Sequence, residues 1–440
     1  MRGLGVQCNA TTGRVIKLSL NDTRQFSQYY SLDRLPTLNL SLFHPFEELK
    51  SLNLSYNLFE GWHENKAYDG FGCLKQLKIL DLSHNYFNDT LLPYLNNLTS
   101  LTSLNLGWNN MGEGLKSAKQ EGVQCNATTG RVIKLSLNDT RQFSQYYSLD
   151  RLPTLNLSLF HPFEELKCLK LSYNYFEGWH EDKAYDGFKC LKQLKILDLS
   201  ANFFNATLLP YLNNLTSLTT LNLGGNNMGE GLKSAKQGLA NLTNLKVLNL
   251  AENLINNSLS NLGLKMLRNL EELDLSYNGM SGSLTLLGLT NLTNLKSLDL
   301  SDNQINTSLA SLGLQNLKNL EELNMAYNGM SGSLTSLGLD NLTALETLEL
   351  SYNFISWLGL ANLKGLKALD LSYNEMNGSP SSSGICELMD LVELNLENNN
   401  LGGQVPQCLT NFTYLKFMGK PFKASDTCTL IKKQLVSSGK

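Results

Sequence analysis

Leucines along this chain fall into one short phrase, LxxLxLxxN, as in LKILDLSHN (77–85), LTSLNLGWN (101–109), LKVLNLAEN (245–253), LEELDLSYN (270–278) and LKSLDLSDN (295–303). The closing asparagine stands at 57, 85, 109, 174, 202, 226, 253, 278, 303, 328, 353, 374 and 399, so most steps are 21 to 28 residues. The LxL core has period two, which turns its leucines to one face of a short strand and the intervening residues to the other. The asparagine sits where the chain must turn, and its amide can satisfy backbone groups of neighbouring coils that no strand pairing reaches. A second apolar set, LxNLTxL at 239–245 and 289–295, supplies the return. One such coil cannot cover its own apolar interior, so coils must stack and the terminal ones need caps.

This period is that of a leucine-rich repeat. It predicts an α/β solenoid, a superhelix of about 14–15 coils with one parallel β-sheet on the concave face and short helices or irregular turns on the convex face. Repetition also resets the domain expectation, because a solenoid grows by stacking and 440 residues need not mean several cores. The organisation read from the sequence is a partial amino-terminal cap with first repeats at 1–120, a near-identical tandem copy at 121–237, further repeats at 238–418 and a non-repeat tail at 419–440. GVQCNATTGRVIKLSL occurs at both Gly5 and Gly122. Aligned at a constant offset of 117, the two blocks differ at ten positions, among them Ser51/Cys168, Asn53/Lys170, His84/Ala201 and Trp108/Gly225. In the second block Val132, Ile133, Leu135 and Leu137 supply one more coil, with residues 112–126 as a loop-like join.

The duplicated phrase resembles the second half of the amino-terminal cap of plant extracellular leucine-rich-repeat receptors. The LSYN, NLTNL and GLTNLTNLKSLDLS phrases are similar to plant leucine-rich-repeat receptor-like proteins, over residues 5–418. The resemblance implies a non-catalytic ligand-binding ectodomain fragment that recognises a peptide or protein on its concave face in defence or developmental signalling, with a co-receptor or adaptor kinase as partner. It implies a plasma-membrane or extracellular location. In that family the cap cysteine pairs with one upstream, whereas only MRGLGVQ precedes Cys8 and LKSAKQEGVQ precedes Cys125. The first half of the cap, an export signal and a membrane helix are all absent from the sequence as given. A secreted inhibitor of a foreign hydrolase and a truncated, inactive remnant are the alternatives.

Composition narrows the choice. Lys plus Arg is 36 against Asp plus Glu at 39, with no basic block, so nucleic acid is not an expected partner. No apolar run reaches the length of a membrane span. The eight cysteines lack metal spacing, the five histidines all lie in the duplicated blocks, and no nucleotide, hydrolase or kinase motif appears, so neither enzyme chemistry nor a cofactor or metal is expected. Glu47 and Glu48 of HPFEEL are expected on a solvated convex surface.

Candidate binding residues come from outward strand positions. One column carries Tyr56, Tyr173, Tyr277, Tyr327, Tyr352 and Tyr373, with His84 and Trp108 in the first block. Aromatic residues of this kind suit recognition, although LSYN is also a repeat phrase that fills a strand end. A second column, Asp81, Asp198, Asp274, Asp299, Glu349 and Asp370, is explained by the recurring phrase. Glu252, Glu271, Glu272, Asp302, Glu321, Glu322 and Glu346 depart from it and suggest a locally acidic surface fit for a basic ligand segment. Sequons at Asn88, Asn97, Asn205, Asn214, Asn241, Asn256, Asn291, Asn306 and Asn341 are candidate glycan sites. Cys386 and Cys408, 22 residues apart across one coil, are placed for a disulfide, whereas Cys168 and Cys190 at the same spacing fall on opposite faces.

Overall fold

The computed structural model describes residues 4–22, 36–63, 70–87, 98, 100–101, 103–105, 109–111, 115–116, 123–125, 132–137, 154–160, 163–180, 187–235, 238–281, 289–307, 314–333, 339, 341–357, 363–378, 385–402, 408 and 414–416. The expected glycan sites Asn88 and Asn97 and the tail at 419–440 lie outside them. The chain forms two compact units, Met1–Asn226 and Asn227–Lys440.

In the first unit, β1 (Leu4–Cys8) forms an antiparallel hairpin with β2 (Val15–Leu20). Parallel pairing then runs through β3 (Ser51–Asn53), β4 (Ile79–Asp81) and β5 (Ser103–Asn105). Next come β6 (Val123–Cys125) and β7 (Val132–Ser136), followed in parallel by β8 (Cys168–Lys170), β9 (Ile196–Asp198) and β10 (Thr220–Asn222). The second unit stacks β11 (Val247–Asn249), β12 (Glu272–Asp274), β13 (Ser297–Asp299), β14 (Glu322–Asn324), β15 (Thr347–Glu349), β16 (Ala368–Asp370), β17 (Glu393–Asn395) and β18 (Tyr414–Lys416), all parallel. The return segments are mostly 3-10 turns and irregular chain, with one four-residue α-helix, Leu209–Leu212, among the described residues.

One expectation is met only in part inside the first unit. Of the segment 112–126, expected as a loop-like join, the described residues 115–116 and 123–125 are paired as strands. Leu115–Lys116 pairs antiparallel with Asn110–Met111, and β6 pairs antiparallel with β5 on one side and β7 on the other. The first unit's sheet is therefore mixed rather than wholly parallel. The reason is that GVQC in either copy is extended chain that turns back on the strand following it, so it pairs as a hairpin wherever it is placed.

The core follows the leucine phrase. Leu77, Leu80 and Leu82, or Leu270, Leu273 and Leu275, are 2 % exposed or less. Phe87, Phe176 and Phe204 fill the interior just after the turn, with Phe176 and Phe204 stacked at 6.0 Å. Beneath each turn the asparagines form a ladder. Asn202 donates from its amide nitrogen to the carbonyls of Leu171, Leu199 and Ser200, each at 3.0 Å, and its oxygen accepts from the backbone N–H of Asn174 and Phe176. Asn85 repeats this pattern with Leu54, Leu82, Ser83, Asn57 and Phe59. These side chains supply the bonds that short strands leave unmade, and buried backbone groups need them.

Glu47 is exposed as expected, whereas Glu48 departs from its solvated expectation. Glu48 accepts from the Asn9 amide and the Thr12 hydroxyl, and Arg14 lies within 3.3 Å of Glu47 and 3.8 Å of Glu48. These contacts tie the hairpin turn to the first coil, which only folding brings together.

Candidate functional site

The tyrosine column does not stand on the strands. Each strand ends three residues earlier, and Tyr56, Tyr173, Tyr277, Tyr327, Tyr352 and Tyr373 occupy the turn with φ between 51° and 60°. His84, Ala201, Gly225, Glu252, Asp302 and Asn398 hold the same place in other coils. That left-handed conformation folds the next residue, the ladder asparagine, back under the sheet, and it excludes β-branched side chains. The column consequently forms a raised rim along the sheet edge where the strands end.

In the second unit the rim is ordered. Tyr327 and Tyr352 stack at 4.1 Å with 11° between their planes, and Tyr352 and Tyr373 at 4.1 Å with 9°. Tyr352 accepts a hydrogen bond from Tyr373 and donates one to Tyr327; the net effect holds the Tyr352 phenol above its usual range. Its bond to Tyr352 raises the Tyr373 phenol too. One coil before the stack, Tyr277 donates to Asp302, whose charge raises the phenol. Burial pushes the Asp302 carboxyl upward although the Tyr277 hydrogen bond opposes it. In the first unit Tyr56 stacks on His84 at 3.8 Å, and burial depresses the imidazole.

Between the rim and the next residues of the coil lies an open groove of about 750 Å³, lined by Asp302, Gln304, Tyr327, Tyr352, Phe354, Tyr373, Glu375, Asn398 and the ladder asparagines of five coils. Phe354 is 54 % exposed. Sequence reasoning missed Gln304, Phe354, Glu375 and Asn398. Three of them mark a position that could have been found, the residue following a ladder asparagine, filled by glycine at 279 and 329 and by these larger side chains elsewhere.

Ion pairs neutralise two residues of the expected acidic surface. Glu271 and Glu346 precede their strands at the opposite edge of the sheet, where Lys246 meets Glu271 at 2.6 Å, Lys296 reaches it at 3.7 Å, and Lys367 meets Glu346 at 2.7 Å. Glu321 occupies the same position and is exposed. The Lys246 hydrogen bond holds the Glu271 carboxyl below its usual range. Glu252 and Asp302 belong to the rim, while Glu272 and Glu322 stand on the strand face, where Ser297 donates to Glu322. The structure thus separates residues that the sequence reading grouped. The aspartate column is structural, since Asp198 and Asp274 each accept from the backbone and hydroxyl of the serine two residues on.

Asn214, Asn241, Asn256, Asn291, Asn306 and Asn341 are exposed, whereas Asn205 is half-buried and caps the 3-10 turn Ala206–Leu208. Cys386 and Cys408 form a disulfide. The thiols of Cys168 and Cys190 are not bridged. Cys168 points to the open sheet face but is 8 % exposed, because it lies in register between Lys134 and Ile196. Among the described residues no group of His, Cys, Asp and Glu could hold a metal, and no helix is long and apolar enough to cross a membrane.

The duplicated blocks add a second kind of observation. Of their ten differences, Ser51/Cys168, Asn53/Lys170 and Ser103/Thr220 are at strand positions, His84/Ala201 at the rim position, and Leu58/Tyr175 and Tyr86/Phe203 next to the ladder asparagine; Gly225 is also on the rim, and its counterpart Trp108, which precedes Asn109 in the sequence, lies outside the described residues. The return surface is equally open to solvent, yet the exposed residues Glu47/Glu164, Lys75/Lys192 and Gln76/Gln193 are identical, with Gly72/Lys189 differing in a return 3-10 turn.

Comparison with known proteins agrees with this architecture. Leucine-rich-repeat family models match residues 268–313, 76–98, 390–412, 97–115 and 214–232. A leucine-rich-repeat protein of Leptospira interrogans superposes with a TM-score of 0.59 at 23 % identity, over 89 % of this chain and 83 % of that one, a likeness of fold alone. The chain is a leucine-rich-repeat solenoid. Within that class it is similar to plant receptor-like proteins over part of its length. It is 46 % identical to Receptor like protein 21 of Arabidopsis thaliana over 170 residues, 38 % of this chain, and 33 % identical to Receptor-like protein 13 of the same plant over 248 residues, 55 % of this chain. It spans 16 % and 19 % of the lengths of those two relatives.

Proposed function

We propose that this chain is the ligand-recognising part of a plant cell-surface receptor-like protein, binding a peptide or protein through the open sheet face and its tyrosine rim. The observation that carries this reading is the distribution of differences between the two blocks. Exposure alone would let the return surface vary equally; seven of the ten substitutions fall instead on the side where a partner would be read, while the buried leucines and the ladder asparagines are unchanged. A rigid rim of aromatic rings suits such a surface because little side-chain freedom remains to be lost on binding. Extracellular exposure, glycans on the return-side asparagines, and a co-receptor or adaptor kinase complete the proposal.

The test is peptide display against the full glycosylated chain, with enriched clones re-measured on Tyr56→Ala, Lys170→Glu and Tyr352→Ala variants. Ligands that lose affinity with at least one rim or face variant, while return-side changes such as Gln76→Ala leave them bound, are the expected result. Ligands sensitive only to return-side changes, or no enrichment, would refute it.

A further inference from the structure

We propose that the groove bounded by Tyr327, Tyr352, Tyr373 and Phe354 takes an extended basic peptide segment, with an arginine side chain as its anchor. This rests on the recognition reading above and adds the chemistry of the partner.

Charge is the first argument. The groove-lining residues include the carboxylates Asp302 and Glu375 and not one lysine or arginine. Lys246, Lys296 and Lys367 of the same unit stand at the opposite sheet edge, held by Glu271 and Glu346. An acidic or sulfated ligand would meet uncompensated repulsion here, whereas a cation finds two partners.

Shape is the second. The ring stack ends at Tyr327, and the next rim position is Asp302 rather than another ring. A planar guanidinium can lie against an aromatic face and hydrogen-bond to a carboxylate at its edge, which an ammonium does less well. Asp302 has the Tyr277 hydroxyl beside its carboxyl, and a carboxylate has room for several donors. Its partial burial makes a counter-cation more valuable than it would be in open water. On the other wall Phe354 offers a second exposed ring, with Glu375 nearby in the same lining. Gly329, between Gln304 and Phe354 in the series following the ladder asparagines, leaves that row without a side chain at one coil. An added Cβ there would come within 3.3 Å of the Asn306 Cβ.

The experiment is a saturation-transfer NMR titration of the full chain with three acetylated, amidated peptides, Gly-Ala-Arg-Ala-Gly and its Lys and Gln versions, at physiological salt. The arginine peptide is expected to bind most tightly, the glutamine version about tenfold more weakly, and the Asp302→Asn/Glu375→Gln double variant to lose about tenfold for arginine at an unchanged unfolding midpoint. Tyr352→Ala should weaken it similarly. Equal binding of the arginine and glutamine peptides, or a double variant that binds as the parent does, would overturn the proposal, as would preferential binding of a neutral oligosaccharide in the groove. Display selection separates the two levels of failure. Clones that depend on Tyr56 or Lys170 and ignore the groove would overturn the arginine assignment and leave recognition standing, whereas absence of any clone overturns both.

Discussion

Replacing Asn202 with leucine tests the ladder most directly, because the side chains are close in volume and differ in their hydrogen bonds. Five bonds disappear, three to carbonyls and two from backbone N–H groups, around a residue that is 4 % exposed. The three carbonyls each keep a second donor, the Asn174 and Asn226 amides and the Tyr173 backbone N–H, so the groups left unpaired are the Asn174 and Phe176 amides of the preceding coil, which closing up within one coil cannot satisfy. At about 1–3 kcal/mol for each of these buried amides, and with the extra apolar contact of leucine set against it, the net loss is roughly 2–4 kcal/mol. The duplicated block supplies an internal replicate, since Asn85 makes the corresponding five bonds. N85L and N202L should therefore cost the same within about 0.5 kcal/mol in urea unfolding. Coils couple to their neighbours, so hydrogen exchange should accelerate at Asn174 and Phe176 first and leave the amides of 270–300 protected. A loss below about 1 kcal/mol, or exchange that rises equally along the chain, would refute the view that the asparagine carries its share of stability as a cross-coil hydrogen-bonding group.

Other outcomes are cheaper to check. Glu48 is held below its usual carboxylate range chiefly by the Thr12 hydroxyl and then the Asn9 amide, so its contribution is present above an unfolded value near 4.5 and fades as pH falls through the lower folded value. Glu48→Gln should flatten the acid limb of the unfolding midpoint between pH 5 and 3, and an unchanged limb counts against the link to the hairpin. Glu271→Gln breaks two exposed ion pairs and should change stability by less than about 1 kcal/mol, with little salt dependence left. Asp198→Ala removes two bonds to Ser200 and should cost about 1 kcal/mol by chemical denaturation. Reducing the Cys386–Cys408 bridge, which closes a 22-residue span, should lower stability of the last coils by about 3 kcal/mol, read as faster exchange at Leu394 and Leu396.

The repeat, its buried leucines and the asparagine ladder were legible because each follows from a local rule. Period two sets the face, and a buried turn needs a polar side chain to satisfy it. The rim was misplaced by two residues because nothing in LSYN states where strand pairing stops and the left-handed turn starts. Two of the glutamates acquire partners for a different reason. Lys246, Glu271 and Lys296 are each 25 residues apart, one full coil, so Glu271 comes to lie between two lysines once the coils stack. That spacing was present in the sequence but has meaning only after the coil length is taken as fixed. The groove needed both corrections, together with the knowledge that residues after the ladder asparagine form its second wall.

The mid-chain copy of the half-cap shows how a solenoid can absorb a duplication. At the amino terminus β1 has β2 as its sheet partner, and it lays an antiparallel strand over what would be an open edge. In the second copy the same GVQC phrase sits within the first unit's sheet. There Val123 pairs with Leu104, Gln124 with both Ser103 and Lys134, and Cys125 with Val132. Backbone hydrogen bonding is thereby met on both edges, so the extra block needs no new connector chemistry. Leu135 and Leu137 then restart the buried phrase at 1 % exposure, and the coil after them pairs in parallel as before. A block inserted this way must keep its leucines, ladder asparagines and hairpin, because each is bonded or packed on both sides. It is free to change where it meets only solvent or a partner. Seven of the ten differences lie on the strand face and the turn beside it, so the duplication has kept the scaffold and altered what it displays.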